Sequence, residues 1–175
     1  RAKLAKFFLL QNEVRATPEQ IASAIGIPKN IARREAVALA RMGLLSERRT
    51  GRTSVYTLSA THPYASSLKA LLKIATSASD KEINDFFRGV PGIHAIVAAG
   101  ILADEERGAL DLLIVTRRPN DVRVHASVRR LERHLALPLR YAVLETRDFG
   151  ERMEARDRLL RDVFEFSHRM VSGRV

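Results

Sequence analysis

Residues 28–56 read PKNIARREAVALARMG followed by LLSERRTGRTSVY. The first part predicts a helix that Gly43 ends, because Gly readily adopts the left-handed conformation found after helices. On this helix Ala32, Ala36 and Leu39 recur at helical spacing and share one face. Their small size allows a second helix to approach closely. The remaining positions are mostly polar and basic, so we expect them to face away from the core.

The second part of the stretch predicts a β-hairpin. Residues 44–47 and 54–58 carry strand-favouring residues on either side of a polar segment. Gly51 lies in that segment and supplies the permissive backbone angle of a tight turn. Gly at the tip also lets the hairpin lie close to a phosphate backbone.

Eight residues of the helix and the hairpin are candidates for contacts with a nucleic-acid duplex. Their types suit base edges and phosphates, since Arg pairs with guanine, Asn with adenine and Lys with the backbone. They are Lys29, Asn30, Arg33, Arg34 and Val37 on the helix and Arg48, Arg49 and Arg52 on the hairpin.

The positive charge of the chain is unevenly distributed. The 175 residues include 30 Lys and Arg against 20 Asp and Glu, a formal charge of +10. Up to Ala60 there are eleven basic and four acidic residues, so +7 of this charge lies in the first third. This distribution favours an acidic partner, most simply nucleic acid. Taken alone, the charge also fits a basic, soluble surface.

Composition argues against several classes of protein. The chain has no Cys, which removes disulfides and thiolate metal sites and is compatible with the cytoplasm, where we expect the protein. No apolar run reaches the roughly 20 residues of a membrane span, and no signal peptide is visible. The histidines lack metal-site spacing, so we expect no metal and no cofactor. They are His62, His94, His125, His134 and His168.

Two shorter helices are predicted before residue 28. Residues 4–11 suit an amphipathic helix. Residues 17–20 read TPEQ, a strong helix start with Thr as the cap, Pro at the first position and Gln three residues after the cap. Gly26 is expected to end this second helix. Two short helices across the turn at residues 27–28 form a helix-turn-helix.

Residues 1–60 therefore resemble a winged helix-turn-helix domain of bacterial and archaeal transcription regulators. The resemblance rests on IASAIGI at residues 21–27, the basic third helix, MGLL at residues 42–45 and the basic hairpin. It implies binding of double-stranded DNA, with the third helix in the major groove and the hairpin along the backbone or minor groove. A purely structural winged helix is the alternative.

Residues 61–79 are predicted to be a linker with a helix of its own. Pro63 breaks the chain, and the next residues carry an apolar helical stripe. The stripe consists of Leu68, Leu71, Leu72 and Ala75. It suits either packing on its own domain or a dimer seam, and the sequence leaves both open.

Residues 80–175 predict a second domain, a small sheet covered by helices. The expected helices are residues 80–88, a helix capped by Asn120, and residues 146–166; the expected strands are residues 93–100, 109–116 and 139–145. Gly100 followed by LDLLIV at residues 110–115 resembles the sequence pattern of the minimal nucleotidyltransferase fold of the polymerase-β type. That family has Gly-Ser after its first strand and two carboxylates flanking an apolar residue on the next. These groups, with a third carboxylate, hold phosphates and two divalent ions.

The chain departs from this family at its chemical positions. Ile101 stands where the family has Ser, and Ala109 stands where it has the first carboxylate. Asp111 matches the second, while Arg140 lies near the third and offers a cation that suits a phosphate. One carboxylate cannot hold two ions that both need oxygen ligands. Gly100, Ile101, Ala109 and Asp111 thus form a degenerate nucleotide site, and we expect no enzyme activity.

The sequence thus predicts an α+β protein with an N-terminal winged helix-turn-helix domain and a C-terminal nucleotidyltransferase-like α/β domain with a small mixed sheet. Its expected function is DNA-binding transcription regulation, with the second domain sensing a small molecule, dimerising or binding a protein. The alternatives are an active nucleotidyltransferase, in which the acidic loop 104–106 replaces the lost ligands, and an antitoxin-like module.

We expect a homodimer, because one helix-turn-helix covers few base pairs and two-fold pairing doubles the contacts on a palindromic site. Light scattering at micromolar concentration should give twice the mass of the chain. A monomeric mass with and without duplex DNA would contradict this expectation.

Overall fold

The computed structural model describes residues 1–11, 13–74, 78–105 and 107–174. These residues contain eight α-helices and two small sheets, of three and four strands, which confirms the predicted α+β class. The chain divides into two compact units: residues 1–76 with 132–138, and residues 77–131 with 139–175. None of the helices in the described ranges has both the length and the apolar character needed to cross a bilayer.

The first unit consists of four helices and a three-stranded antiparallel sheet. The elements are α1 (Ala2–Leu9), β1 (Arg15–Ala16), α2 (Pro18–Ile25), α3 (Lys29–Arg41), β2 (Leu45–Thr50), β3 (Thr53–Leu58) and α4 (Ala65–Ile74). The sheet order is β1-β3-β2.

Helix α2 begins and ends as its sequence predicts. The amide of Gln20 donates to Oγ1 of Thr17, and the amide of Thr17 donates to Oε1 of Gln20 at 2.9 Å. This reciprocal pair satisfies two amides that have no partner within the helix. Gly26 follows in the left-handed conformation, with φ +67°. The chain can therefore turn sharply into α3.

Helix α3 is oriented by its small residues. Ala32 and Ala36 are fully buried and Leu39 nearly so, in one apolar cluster with Phe8 and Tyr56. The predicted inward face is thus confirmed. Because a helix has one such face, the basic residues of α3 are directed outward.

The β2–β3 hairpin is longer than predicted. Strand β2 continues to Thr50, where the sequence analysis ended it at Glu47, and only Gly51 and Arg52 separate the two strands. Residues 46–50 are all exposed, so they carry no apolar alternation from which a strand is recognised. Backbone pairing with β3 extends the strand without burial. Gly51 has φ +62°, as the predicted turn requires.

Helix α4 directs most of its apolar stripe inward. Leu68 and Leu72 are partly buried and pack against the apolar cluster of the first unit. Leu71 is 61% exposed, and Ala75 lies outside the described residues. Leu68 and Leu72 therefore pack on their own domain, and the proposal that the stripe forms a dimer seam stays a prediction.

The second unit contains a four-stranded sheet with the order β6-β5-β4-β7. Its elements are α5 (Asp80–Phe87), β4 (Ile93–Ala98), a 3₁₀ turn (Gly100–Ala103), β5 (Leu112–Thr116), α6 (Val122–Leu135), β6 (Tyr141–Glu145), α7 (Thr146–Glu154), α8 (Arg158–Glu165) and β7 (Arg169–Gly173). The last residues of α6, from Glu132, are grouped with the first unit. The β5–β6 pair is parallel and the other two are antiparallel, so the sheet is mixed as predicted.

Three predicted strand bounds in this sheet were wrong, and one strand was missed. Strand β4 ends at Ala98, not Gly100. Strand β5 begins at Leu112, not Ala109, and β6 begins at Tyr141, not Leu139. The amides of Asp111 and Leu112 both donate to the carbonyl of Arg140, which ends the regular ladder there. Strand β7 was not predicted at all. It is short, lies at the sheet edge and is only partly buried, so its sequence shows no clear alternation.

Two helix predictions in this unit also need correction. Asn120 does not cap α6; instead the carboxylate of Asp121 accepts from the amide of Arg123 at 2.9 Å. Hydrogen bonds from the side chain and amide of Arg123 lower the pKa of Asp121 to about 2. The predicted helix 146–166 is two helices, because Asp157 caps a new one by accepting from the amide of Leu159.

Replacing Thr17 with Ala should lower the free energy of unfolding by about 0.5–2 kcal/mol, because the amide of Gln20 loses its acceptor. Urea denaturation of the full chain measures this. Thr17→Ser is the matched control and should stay near wild type, since it keeps the hydroxyl. Equal loss in both variants would show that the methyl group of Thr17, not the cap, contributes the stability.

Candidate functional sites

The outward face of α3 forms a groove of about 840 Å³. Its lining residues are Arg1, Lys29, Asn30, Arg33, Arg34, Val37, Ala38 and Arg41. We call this surface the α3 groove. It contains all five residues that the sequence analysis assigned to the helix.

Three residues of the α3 groove were missed from the sequence. Arg41 lies four residues after Val37, which itself lies four after Arg33, so helical spacing alone was enough to include it. Ala38 continues the same face in the same way from Arg34. Arg1 precedes α1 and has no such signal.

Arg52 of the hairpin lies beside the start of α3. A pocket of about 240 Å³ is lined by Lys29 and Arg33 of α3, by Arg52 to Ser54 of the hairpin and by Thr17 to Glu19. The structure therefore brings three of the predicted cations together from two separate segments. This convergence makes the pocket suited to an anion such as a phosphate.

Arg48 and Arg49 lie on opposite faces of the hairpin. In the register, Arg48 stands opposite Val55 and Arg49 opposite Ser54, and successive residues of a strand alternate in direction. Ser54 lines the pocket with Lys29 and Arg33, whereas Val55 and Arg48 line a different hollow with Arg15. The structure thus separates Arg48 from the other predicted cations.

Acidic neighbours engage some cations of the α3 groove. Lys29 Nζ lies 2.8 Å from Glu19 Oε1, and both side chains are largely exposed. Glu35 accepts from Arg1 at 2.9 Å and lies 3.4 Å from Arg34. The hydrogen bond from Arg1 and, more weakly, the one from Arg34 lower the pKa of Glu35. Lys29 and Glu19 are exposed to water, which weakens their attraction, so a phosphate can compete for Lys29.

Other cations here have no such acid. Within the described ranges, four exposed side chains make no hydrogen bond or ion pair: those of Arg33, Arg41, Arg49 and Arg52. Their guanidinium groups remain available for phosphates and for the acceptors of guanine. The first unit therefore presents uncompensated positive charge on one continuous surface.

In the second unit, the residues predicted to form a degenerate nucleotide site are organised by Asp111. This carboxylate is 3% exposed and accepts four hydrogen bonds. Oδ1 accepts from the amide of Ile101 at 3.0 Å and from Nη2 of Arg140 at 2.8 Å. Oδ2 accepts from the amide of Arg140 at 2.8 Å and from its Nε at 3.1 Å. A carboxylate offers about four acceptor positions, so all those of Asp111 are in use.

Arg140 is therefore bound within the protein, contrary to its predicted availability for a phosphate. Its hydrogen bonds to Asp111, together with the nearby Asp162, raise its pKa above the ordinary value. Asp162 also accepts from the amide of Ala109. Ala109 is thus engaged through its backbone at the position where the nucleotidyltransferase family has a carboxylate.

The local structure explains why position 100 is occupied by Gly. Its φ is +49°, and a Cβ at this position would collide with Oδ1 of Asp111 and with the carbonyl oxygen of Leu110. A Gly here lets the chain close over the buried carboxylate. The structure brings Gly100, Ile101 and Asp111 together as predicted, but around an ion pair.

The acidic loop contributes no metal site in the described part of the chain. Glu105 accepts from the amide and the guanidinium of Arg107, which lower its pKa, and Glu106 lies outside the described residues. No group of three or more His, Cys, Asp or Glu side chains in the described ranges is arranged to hold a metal ion.

Comparisons of the chain with protein-family models, with curated proteins and with solved structures returned no match. The function proposed below therefore rests on the chemistry of these two sites.

Replacing Asp111 with Ala should lower the free energy of unfolding by about 2–5 kcal/mol, because two amides lose their acceptor and each buried unpaired group costs about 1–3 kcal/mol. Arg140→Ala should cost less, since the guanidinium is half exposed and Asp111 keeps both amides. Urea denaturation measures both. Glu151→Ala, which removes an exposed pair with Arg147, is the control and should change stability by a few tenths of a kcal/mol. An Asp111→Ala variant as stable as this control would contradict the structural role of the carboxylate.

Proposed function

We propose that the protein is a DNA-binding transcription regulator whose first unit is a winged helix-turn-helix domain. The observation that carries this proposal is the convergence of the α3 groove with Arg52 of the hairpin. Cations from two segments lie on one surface, and several have no acidic partner among the described residues. Such a surface suits a polyanion with regular spacing.

The dimensions of α3 fit the major groove of B-DNA. The helix has 13 residues and is therefore about 20 Å long and, with side chains, about 10–12 Å wide. The major groove is about 12 Å wide and admits one α-helix. Arg33, Arg34 and Asn30 then lie at base edges, while Lys29 and Arg52 lie at phosphates. On binding, a phosphate replaces Glu19 beside Lys29.

In this proposal the second unit is a nucleotidyltransferase-like domain without catalysis. A metal ligand needs a free oxygen lone pair, and those of Asp111 are used by Ile101 and Arg140. The unit then serves sensing of a small molecule, homodimerisation or binding of a protein partner. The rival function, an active nucleotidyltransferase, requires Asp111 to release Arg140.

Replacing Arg33 or Arg34 with Ala should weaken binding to the preferred duplex by about 1–3 kcal/mol and relax the sequence preference, if the guanidinium binds guanine bidentately. Selection of duplexes from a random pool, followed by titration, measures both effects. Arg147→Ala is the matched control, since it removes one exposed positive charge from the second unit. The proposal fails if the intact chain selects no duplex, or if the control loses as much affinity as the α3 variants.

We expect no magnesium-dependent binding of ATP or CTP and no transfer of nucleotide label to the protein or to cell extract. Calorimetry measures the binding of nucleotide, and labelling measures its transfer. Restoring the family residues with Ala109→Asp and Ile101→Ser should not suffice while Arg140 occupies Asp111; adding Arg140→Leu should permit a magnesium response. Label transfer by the unmodified chain that Asp111→Ala abolishes would overturn the assignment of this unit as inactive.

A further inference from the structure

The α3 groove has Asn30 and the apolar Val37 along its centre, between two cationic flanks. Successive residues of a helix are about 100° apart, so Asn30 and Val37, seven residues apart, lie within about 20° of each other. Lys29 and Arg33 lie to one side of these two residues and Arg34 lies to the other, while Arg41, about 20° from Asn30, continues the same strip towards the end of α3.

Val37 is the residue of this strip that cationic chemistry does not explain. It is half-buried, packs against the apolar cluster of the first unit and still lines the groove. A surface that bound only phosphates would gain nothing from an apolar group at its centre. The part of Val37 that lines the groove nevertheless offers an apolar group that an apolar feature of an otherwise anionic ligand can contact.

We propose that Val37 binds the C5-methyl group of a thymine and that Asn30 pairs with an adenine in the same major groove. This inference rests on the proposed function and names the base pairs that the centre of the groove selects. Among the base edges of the major groove, the thymine methyl is the apolar group, and adenine offers the donor and acceptor that match an Asn amide. Asn30 and Val37 then both select A·T pairs.

The order of groups across the groove agrees with this ligand. In B-DNA two phosphate strands flank a floor of base edges, and in the α3 groove two cationic flanks enclose the strip of Asn30 and Val37. Seven residues of helix rise about 10 Å, and three base pairs rise about 10 Å along the DNA axis. Because a helix lying in the groove is inclined to that axis, the thymine and the adenine are expected no more than about three base pairs apart. Duplex RNA fits poorly, since its major groove is deep and narrow.

The test uses a duplex selected by the full chain from a random pool and resynthesised with deoxyuridine in place of one thymine at a time. At one position inside the footprint, loss of the methyl should weaken binding about fourfold, which corresponds to about 0.8 kcal/mol for one buried methyl-sized group. Thymines outside the footprint are the internal control and should show no effect. The Val37→Ala variant should bind the duplex with thymine and the duplex with deoxyuridine at the sensitive position almost equally.

The ratio of the two affinities is the decisive quantity. Val37 also packs against the core, so Val37→Ala is expected to lose some stability, but the same protein sample is titrated with both duplexes and its folded fraction cancels. In parallel, 7-deazaadenine at one position within about three base pairs of the sensitive thymine should weaken binding by the wild type and not by Asn30→Ala.

The outcomes separate the inference from the proposed function. If thymine and deoxyuridine duplexes bind the wild type equally, methyl contact is excluded while DNA binding stands. If Val37→Ala still distinguishes thymine from deoxyuridine, the assignment of Val37 to the methyl group is wrong. If Asn30→Ala still responds to 7-deazaadenine, the assignment of Asn30 to adenine is wrong. If the intact chain selects no duplex, the proposed function fails and the inference with it. Polyglutamate that displaces the duplex at equal charge concentration would assign the groove to an acidic peptide instead.

Discussion

The burial of Ala32 and Ala36 is the constraint on which the first unit depends. Both residues are fully enclosed, and larger side chains at these positions would force α3 away from the elements packed on it. Since a helix with one buried stripe must expose the opposite one, this packing alone places the residues of the α3 groove on a common surface. The capped start of α2 and the left-handed Gly26 then fix where α3 begins. Packing in the core thus determines the geometry of the candidate interface.

The two units use positive charge in different ways. In the first, Arg33, Arg41 and Arg52 have no acidic partner among the described residues and remain exposed. In the second, Arg140 binds Asp111, and Arg169 binds Asp80 together with the carbonyl oxygens of Ala78 and Leu102. Guanidinium groups that are fully engaged in this way hold loops together. In the first unit, cations left free in water converge on one surface and are available to a ligand, which is why the candidate interface is placed there.

Local sequence signals predicted what local physics determines. The Thr17 cap, the left-handed Gly26 and the inward face of α3 follow from hydrogen bonds and periodicity within a few residues. The placement of β7, of Asp162 beside Ala109 and of Arg140 on Asp111 depends on contacts between residues far apart in the chain, and no short pattern specifies them. The opposite directions of Arg48 and Arg49 were implicit in strand alternation, but became certain only with the register of the hairpin. The role of Gly100 likewise appears only when Asp111 is seen beneath it.

The most direct test of the central claim, that the α3 groove and the hairpin bind duplex DNA, is the salt dependence of that binding. The logarithm of the association constant should fall linearly with the logarithm of salt concentration, and Arg52→Ala should reduce the slope by about 0.9, the value for one lost phosphate contact. Arg147→Ala, an equal change of charge in the second unit, should leave the slope unchanged. A slope that is the same for wild type and Arg52→Ala, or duplex binding that does not respond to salt, would contradict the account.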